Sequence, residues 1–70
     1  MIRKITVDMN GKKYEASVST QRKGKLYYFT VNYVGLTDSD GRGYRDDNDP
    51  AIEVNSRIVL KGLIQRYPNP

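Results

Sequence analysis

Residues 5–18 read Ile-Thr-Val-Asp-Met-Asn-Gly-Lys-Lys-Tyr-Glu-Ala-Ser-Val, and this stretch decides the fold. Ile5, Val7 and Met9 alternate with Thr6 and Asp8, the period of a strand with one buried face. Asn10-Gly11 follows, a dipeptide suited to a two-residue turn because both turn positions need positive φ. Tyr14, Ala16 and Val18 then alternate with Lys13, Glu15 and Ser17. A two-residue turn sets Met9 opposite Lys12, Val7 opposite Tyr14, Ile5 opposite Ala16 and Arg3 opposite Val18. All the apolar side chains fall on one face, while the other pairs Asp8 with Lys13, Thr6 with Glu15 and Lys4 with Ser17. Turn chemistry and alternation therefore specify the same hairpin, over residues 2–20.

Outward from the hairpin, residues 21–25 (QRKGK) form the next turn, with Gly24 suited to a left-handed conformation. Residues 26–34 are rich in aromatic and β-branched side chains and read as a third strand. A four-residue loop would place Val18 opposite Phe29, Ala16 opposite Val31 and Tyr14 opposite Tyr33, with Tyr28, Thr30 and Asn32 on the polar face. Residues 35–50 form a polar, acidic loop, within which residues 42–45 are a candidate ragged hairpin arm. Beyond it, Ile52, Val59, Leu60, Leu63, Ile64 and Tyr67 share one stripe of a helix, and Ile58 falls off that stripe. Asp49 caps this helix with Pro50 in first position. The rival start makes residues 52–54 a short edge strand and Asn55 or Ser56 the cap. Pro68 ends the helix, which spans residues 51 or 56 to 67.

These elements predict one α+β domain over residues 1–70. It is a three-stranded antiparallel meander, with room for a fourth strand, covered on one face by a C-terminal helix. The expected core is Ile5, Val7, Ala16, Val18, Phe29, Val31, Val59, Leu63 and Leu60. A chain of 70 residues buries only about 60% of its unfolded surface, so small domains of this size need additional stabilisation. With no cysteine there are no disulfides, and self-association is one remaining source.

Composition also bounds the chemistry. The absence of cysteine and histidine removes thiol and Ser/His nucleophilic pairs, thiolate metal sites and the usual neutral-pH proton shuttle. The carboxylates cluster in a loop without apolar surroundings to raise a pKa, so no enzyme activity, cofactor or small-molecule substrate is expected. The amino-terminal residues MIRKITVD lack the apolar stretch of a secretory signal, and no run is long enough to span a bilayer. A cytoplasmic protein without a membrane association is the expectation.

Net charge is +4, but it is segregated. Residues 38–49 carry five aspartates against two arginines, a local charge of −3, while the rest carries ten Lys/Arg against three carboxylates, or +7. The acidic stretch DSDGRGYRDDND resembles an EF-hand calcium loop. In that alignment Asp38 and Asp40 take ligand positions one and three, Gly43 the sharp turn at six, and Asp46 and Asp49 positions nine and twelve. It departs from the pattern where Arg42 replaces a ligand, Arg45 an apolar residue and Asp49 the bidentate glutamate. A strand also precedes it in place of a helix. A solvated loop of good turn formers is the simpler reading.

The basic residues are expected at one end of the sheet: Arg3, Lys4, Arg22, Lys23 and Lys25, with Tyr28 on the open face beside them. Cations beside an exposed aromatic suit a nucleic acid or another anionic surface such as an acidic protein. Lysines at a hairpin tip also serve solubility and protect sheet edges. The competing class is a protein-interaction module, as a homodimer, adaptor or small inhibitor. It would act through Tyr28 and Tyr44 read as exposed, Tyr33 and Tyr67 read as partly exposed, an unpaired sheet edge and the acidic loop.

Overall fold

The structure, a computed structural model, describes residues 2–67. Four antiparallel strands lie in chain order: β1 (Ile2–Met9), β2 (Lys12–Lys23), β3 (Leu26–Tyr33) and β4 (Leu36–Asp38). One helix, α1 (Pro50–Arg66), covers one face and packs against β1, β3 and β4, giving an α+β architecture of two layers. The first hairpin has the register that its turn dictates, from Met9 opposite Lys12 to Arg3 opposite Val18. Asn10 and Gly11 take φ values of 55° and 75°, as a two-residue turn of this kind requires.

The second hairpin differs from expectation. Lys23 pairs with Leu26, so the loop is the two residues Gly24-Lys25 and not four. Gly24 alone takes positive φ (63°), which suffices for a tight turn with glycine in the first central position. Val18 consequently faces Val31, and Thr20 faces Phe29. The shift is two residues, which preserves alternation and leaves every apolar side chain on the intended face. The tighter turn also keeps Arg22 and Lys23 in the ladder instead of leaving their backbone groups to solvent.

A further correction concerns residues 34–38. The third strand stops at Tyr33, and the chain turns back at Val34-Gly35 to form β4, so the acidic loop begins later than expected. This fourth strand comes from residues 36–38, while residues 52–54 are helical. The turn was hard to read because Val34 adopts φ 46°, a conformation that β-branched residues avoid. The Gly35 N–H donates to the Asn32 side-chain oxygen at 3.1 Å, which helps hold it. Because Val34 is 62% exposed and gives up little packing, Val34→Asn should relieve the strain. A gain of about 1 kcal/mol would raise the melting temperature by roughly 4–8 °C for a domain of this size, read by circular dichroism. An unchanged or lowered melting temperature would mean that the valine is not strained.

The helix begins where Asp49 and Pro50 place it. The Asp49 carboxylate accepts the Ala51 N–H at 2.9 Å, and Pro50 fills the first turn, where no N–H is missed. It ends at Arg66, with the Tyr67 N–H donating to the Leu63 carbonyl; Pro68, to which the sequence assigned the stop, lies outside the described residues. Ile52, Ser56, Leu60, Leu63 and Ile64 form its buried face. Ser56 is tolerated there because its hydroxyl donates to the Glu53 carbonyl at 2.9 Å. The core holds the expected sheet residues with Leu60 and Leu63. It adds Ile52, Ile64, Tyr33 and Tyr44, whereas Val59 is only partly buried and Tyr67 is exposed.

Candidate anion-binding ribbon

The molecule is elongated, 38 × 19 × 17 Å, because β2 and β3 run on past the other strands. Beyond Ser19, the partner of Ile2, β2 has only β3 beside it among the described residues. The resulting two-stranded ribbon ends at the Gly24-Lys25 turn and carries Arg22, Lys23 and Lys25, all exposed. Arg22 is steadied by its Nε donating to the Gly24 carbonyl at 3.0 Å. Among the described residues the ion pairs are Arg57–Glu53 and Arg66–Asp38, and neither engages the ribbon.

The five cations expected together are instead spread along the sheet, Arg3 and Lys4 on β1 and the other three at the ribbon end. Lys4 pairs with Ser17, and Lys23 lies six residues farther along β2, about 20 Å away at strand spacing. Lys4 and Lys23 point to the open face, as does Tyr28, which sits opposite Gln21 and is half-buried. Arg3 and Arg22 belong to the helix side. Arg3 is partly buried, and its guanidinium donates to the Asp47 carbonyl, so it tethers the loop that leads into α1. Its Nε is buried with no hydrogen-bond partner among the described residues.

Tertiary structure adds a residue that sequence reasoning did not assign to this end. Tyr44 pairs with Tyr27 across two backbone hydrogen bonds of 2.7 and 2.8 Å, all that remains of the expected hairpin arm over residues 42–45. This bridge brings in the exposed Arg45, the residue after Tyr44, on the β3 side of the ribbon. The same crossing lays Gly43 over Leu26 and Tyr28, so close that a Cβ there would stand 2.6 Å from Leu26 Cδ1 and 3.2 Å from Tyr28 Cζ. No local pattern in the sequence announces this pairing, since one bridge leaves no alternation to read.

Tyr44, expected at the surface, is buried, with its ring centroid 6.0 Å from that of Phe29. Its hydroxyl donates to Asp40 and accepts from Asn55 Nδ2 at 2.8 Å. Burial foremost, and then the bond to the Asp40 carboxylate, push its pKa above the ordinary tyrosine value.

The other aspartates are likewise employed separately. The Arg66 guanidinium, together with the Ser39 N–H, holds the Asp38 carboxyl below its usual range. Asp46 accepts the Asn48 N–H at 2.9 Å, and Asp49 caps α1. Asp46, Asp47 and Asp49 precede the positive end of the helix dipole, which favours negative charge there. Among the described residues no three carboxylates form a group that could hold a metal ion. A shallow surface groove of about 260 Å³, lined by Asp40, Arg42, Asn55, Ile58 and Val59, lies where α1 passes this loop. No helix among the described residues is long and apolar enough to cross a membrane. Comparison of the chain with protein families, curated proteins and solved structures finds no match in any of the three.

Proposed function

We propose that this chain is a non-catalytic binding module that engages an anionic partner through the basic end of its sheet, with nucleic acid as the leading candidate. The observation that carries the reading is the ribbon end. Arg22, Lys23 and Lys25 are exposed around a two-residue turn, Arg45 lies alongside, and no acidic side chain stands in the ladder between Thr20 and Tyr28. Such a concentration of cations attracts phosphates by releasing their counterions. Tyr28 offers an aromatic ring on the same side as Lys23 and Lys4, which would favour single strands if a base stacks on it. In this reading Arg3 positions the loop behind the contact surface, since its guanidinium is already engaged with Asp47.

The test is titration of the protein with labelled single- and double-stranded oligonucleotides over a range of salt concentrations. Affinity should fall linearly on logarithmic axes, and Lys23→Glu should weaken binding to every sequence while reducing the salt slope by about one. Absence of binding at low salt, or a slope that Lys23→Glu leaves unchanged, would remove nucleic acid as the partner. Binding to an acidic protein surface would then be measured by the same substitution, which should act mainly on the association rate.

A further inference from the structure

We propose that β1 is the seam of a symmetric homodimer, in which the β1 strands of two copies pair antiparallel with Thr6 on the two-fold axis. The proposal starts from backbone groups. The tight Asn10-Gly11 turn makes Met9–Lys12 and Val7–Tyr14 the mutually hydrogen-bonded pairs of the hairpin. Ile2, Lys4, Thr6 and Asp8 therefore direct their N–H and C=O groups away from β2, along the outer edge. No strand pairs with that edge among the described residues. Among the described residues its side-chain partner is Arg57, whose Nε reaches the Thr6 carbonyl at 3.3 Å, beyond the ordinary range for such a bond. An eight-residue edge without proline or bulge is a template for another strand.

Side chains select the occupant and the register. In a two-fold antiparallel pairing, outward residues must face outward residues. An axis at Lys4 or at Asp8 sets like charges directly opposite each other. An axis at Ile5 or Val7 leaves both charges facing Thr6 or an uncharged neighbour. An axis at Thr6 sets Lys4 opposite Asp8 of the second copy and Asp8 opposite its Lys4, two opposite-charge pairs on the open face. The same register places Ile5 beside Val7 of the second copy, so the two buried cores meet under their helices. The edge is thus complementary to itself, the condition for a closed two-fold interface. Two four-stranded sheets become one of eight strands, and a small chain without cysteines gains the added burial it lacks alone. Arg57 yields Thr6 and keeps its ion pair with Glu53, at 3.1 Å.

The chain contains no cysteine, so single-cysteine variants report the register directly. Facing residues in a hydrogen-bonded antiparallel pair have Cα atoms about 5.5 Å apart, within disulfide reach. Thr6→Cys should therefore oxidise to a covalent dimer. Lys4→Cys alone should not, since its twin would lie four residues away, about 13 Å along the strand. Lys4→Cys mixed with Asp8→Cys should cross-link. Lys4→Asp should raise the dimer dissociation constant by about tenfold or more, and Lys4→Asp with Asp8→Lys should restore it. The charge-exchange pair decides the matter if Thr6→Cys fails to fold, which its circular dichroism would reveal. A monomeric mass for the unmodified protein at roughly 100 µM, where a stable dimer would be populated, would overturn the proposal. So would cross-linking at equal speed from positions 4 and 6, or failure of the exchange to restore association.

Discussion

Phe29→Ala is expected to leave the chain largely unfolded at 25 °C. Phe29 is 1% exposed on β3, opposite Thr20, and it meets the Tyr44 ring at a 39° tilt. Truncating a buried phenylalanine costs about 3–5 kcal/mol, because transfer energy is lost and the cavity collapses only in part. A single core below 70–80 residues rarely supplies more than about 3–5 kcal/mol in total, so this one change consumes most of the margin. Far-UV circular dichroism and a urea titration would show the loss of a cooperative transition. A variant that still unfolds cooperatively, with its midpoint barely moved, would mean that the ring is not central to the core.

Tyr44→Ala is the second large effect, expected at about 3–4 kcal/mol by the same cavity argument. This residue combines a buried ring with a hydroxyl that ties Asp40 to Asn55, so its loss releases the acidic loop from both the sheet and the helix. Tyr44→Phe keeps the ring and removes only the hydroxyl, and should cost about 1–2 kcal/mol, with the polar partners left to water or unpaired. The pH dependence follows from the raised pKa of Tyr44. Folding favours the protonated phenol, so its contribution is complete below the unfolded value near 10 and is lost as pH rises through the higher folded value. Thermal melts at increasing alkaline pH should show stability falling for the natural chain and falling less for Tyr44→Phe. Parallel curves for the two would show that the phenol is not responsible.

The partner proposed for the ribbon and the partner proposed for β1 use opposite edges of the molecule's construction. Arg22, Lys23 and Lys25 act at the free end of β2 and β3, whereas the dimer seam lies along the far side of β2's neighbour. Lys4 is shared between them, since it stands on the open face and on the edge strand. Loss of association in Lys4→Asp with retained oligonucleotide binding would assign it to the seam.

Much of this structure is written in local pattern. Alternation of Ile5, Val7 and Met9, the Asn10-Gly11 turn and the stripe from Ile52 to Leu63 are enough to specify the first hairpin, the buried face and the helix. Asp49 and Pro50 offered one of two helix starts, because capping and fixed φ act within a single turn, and the structure selects it over the start at Asn55 or Ser56. The kinds of residue in the basic end, and the open-face position of Tyr28, were legible on the same grounds. What sequence could not decide was any choice that leaves alternation intact. Two- and four-residue loops at Gly24 put the same side chains on the same face, and only pairing with β3 selects the shorter loop. That choice keeps Lys23 in extended strand, six residues along β2 from the level of Lys4. Tyr44 entered the core, and Val34 took an unfavourable φ to return the chain as β4, because burial and ladder hydrogen bonds outweigh local preference. Arg3 follows the same logic: its charge suggested the surface, but its place on the helix side of β1 committed it to Asp47. Short-range periodicity thus determined the faces and the elements, and long-range packing decided the register, the fourth strand and which cations remain free to meet a partner.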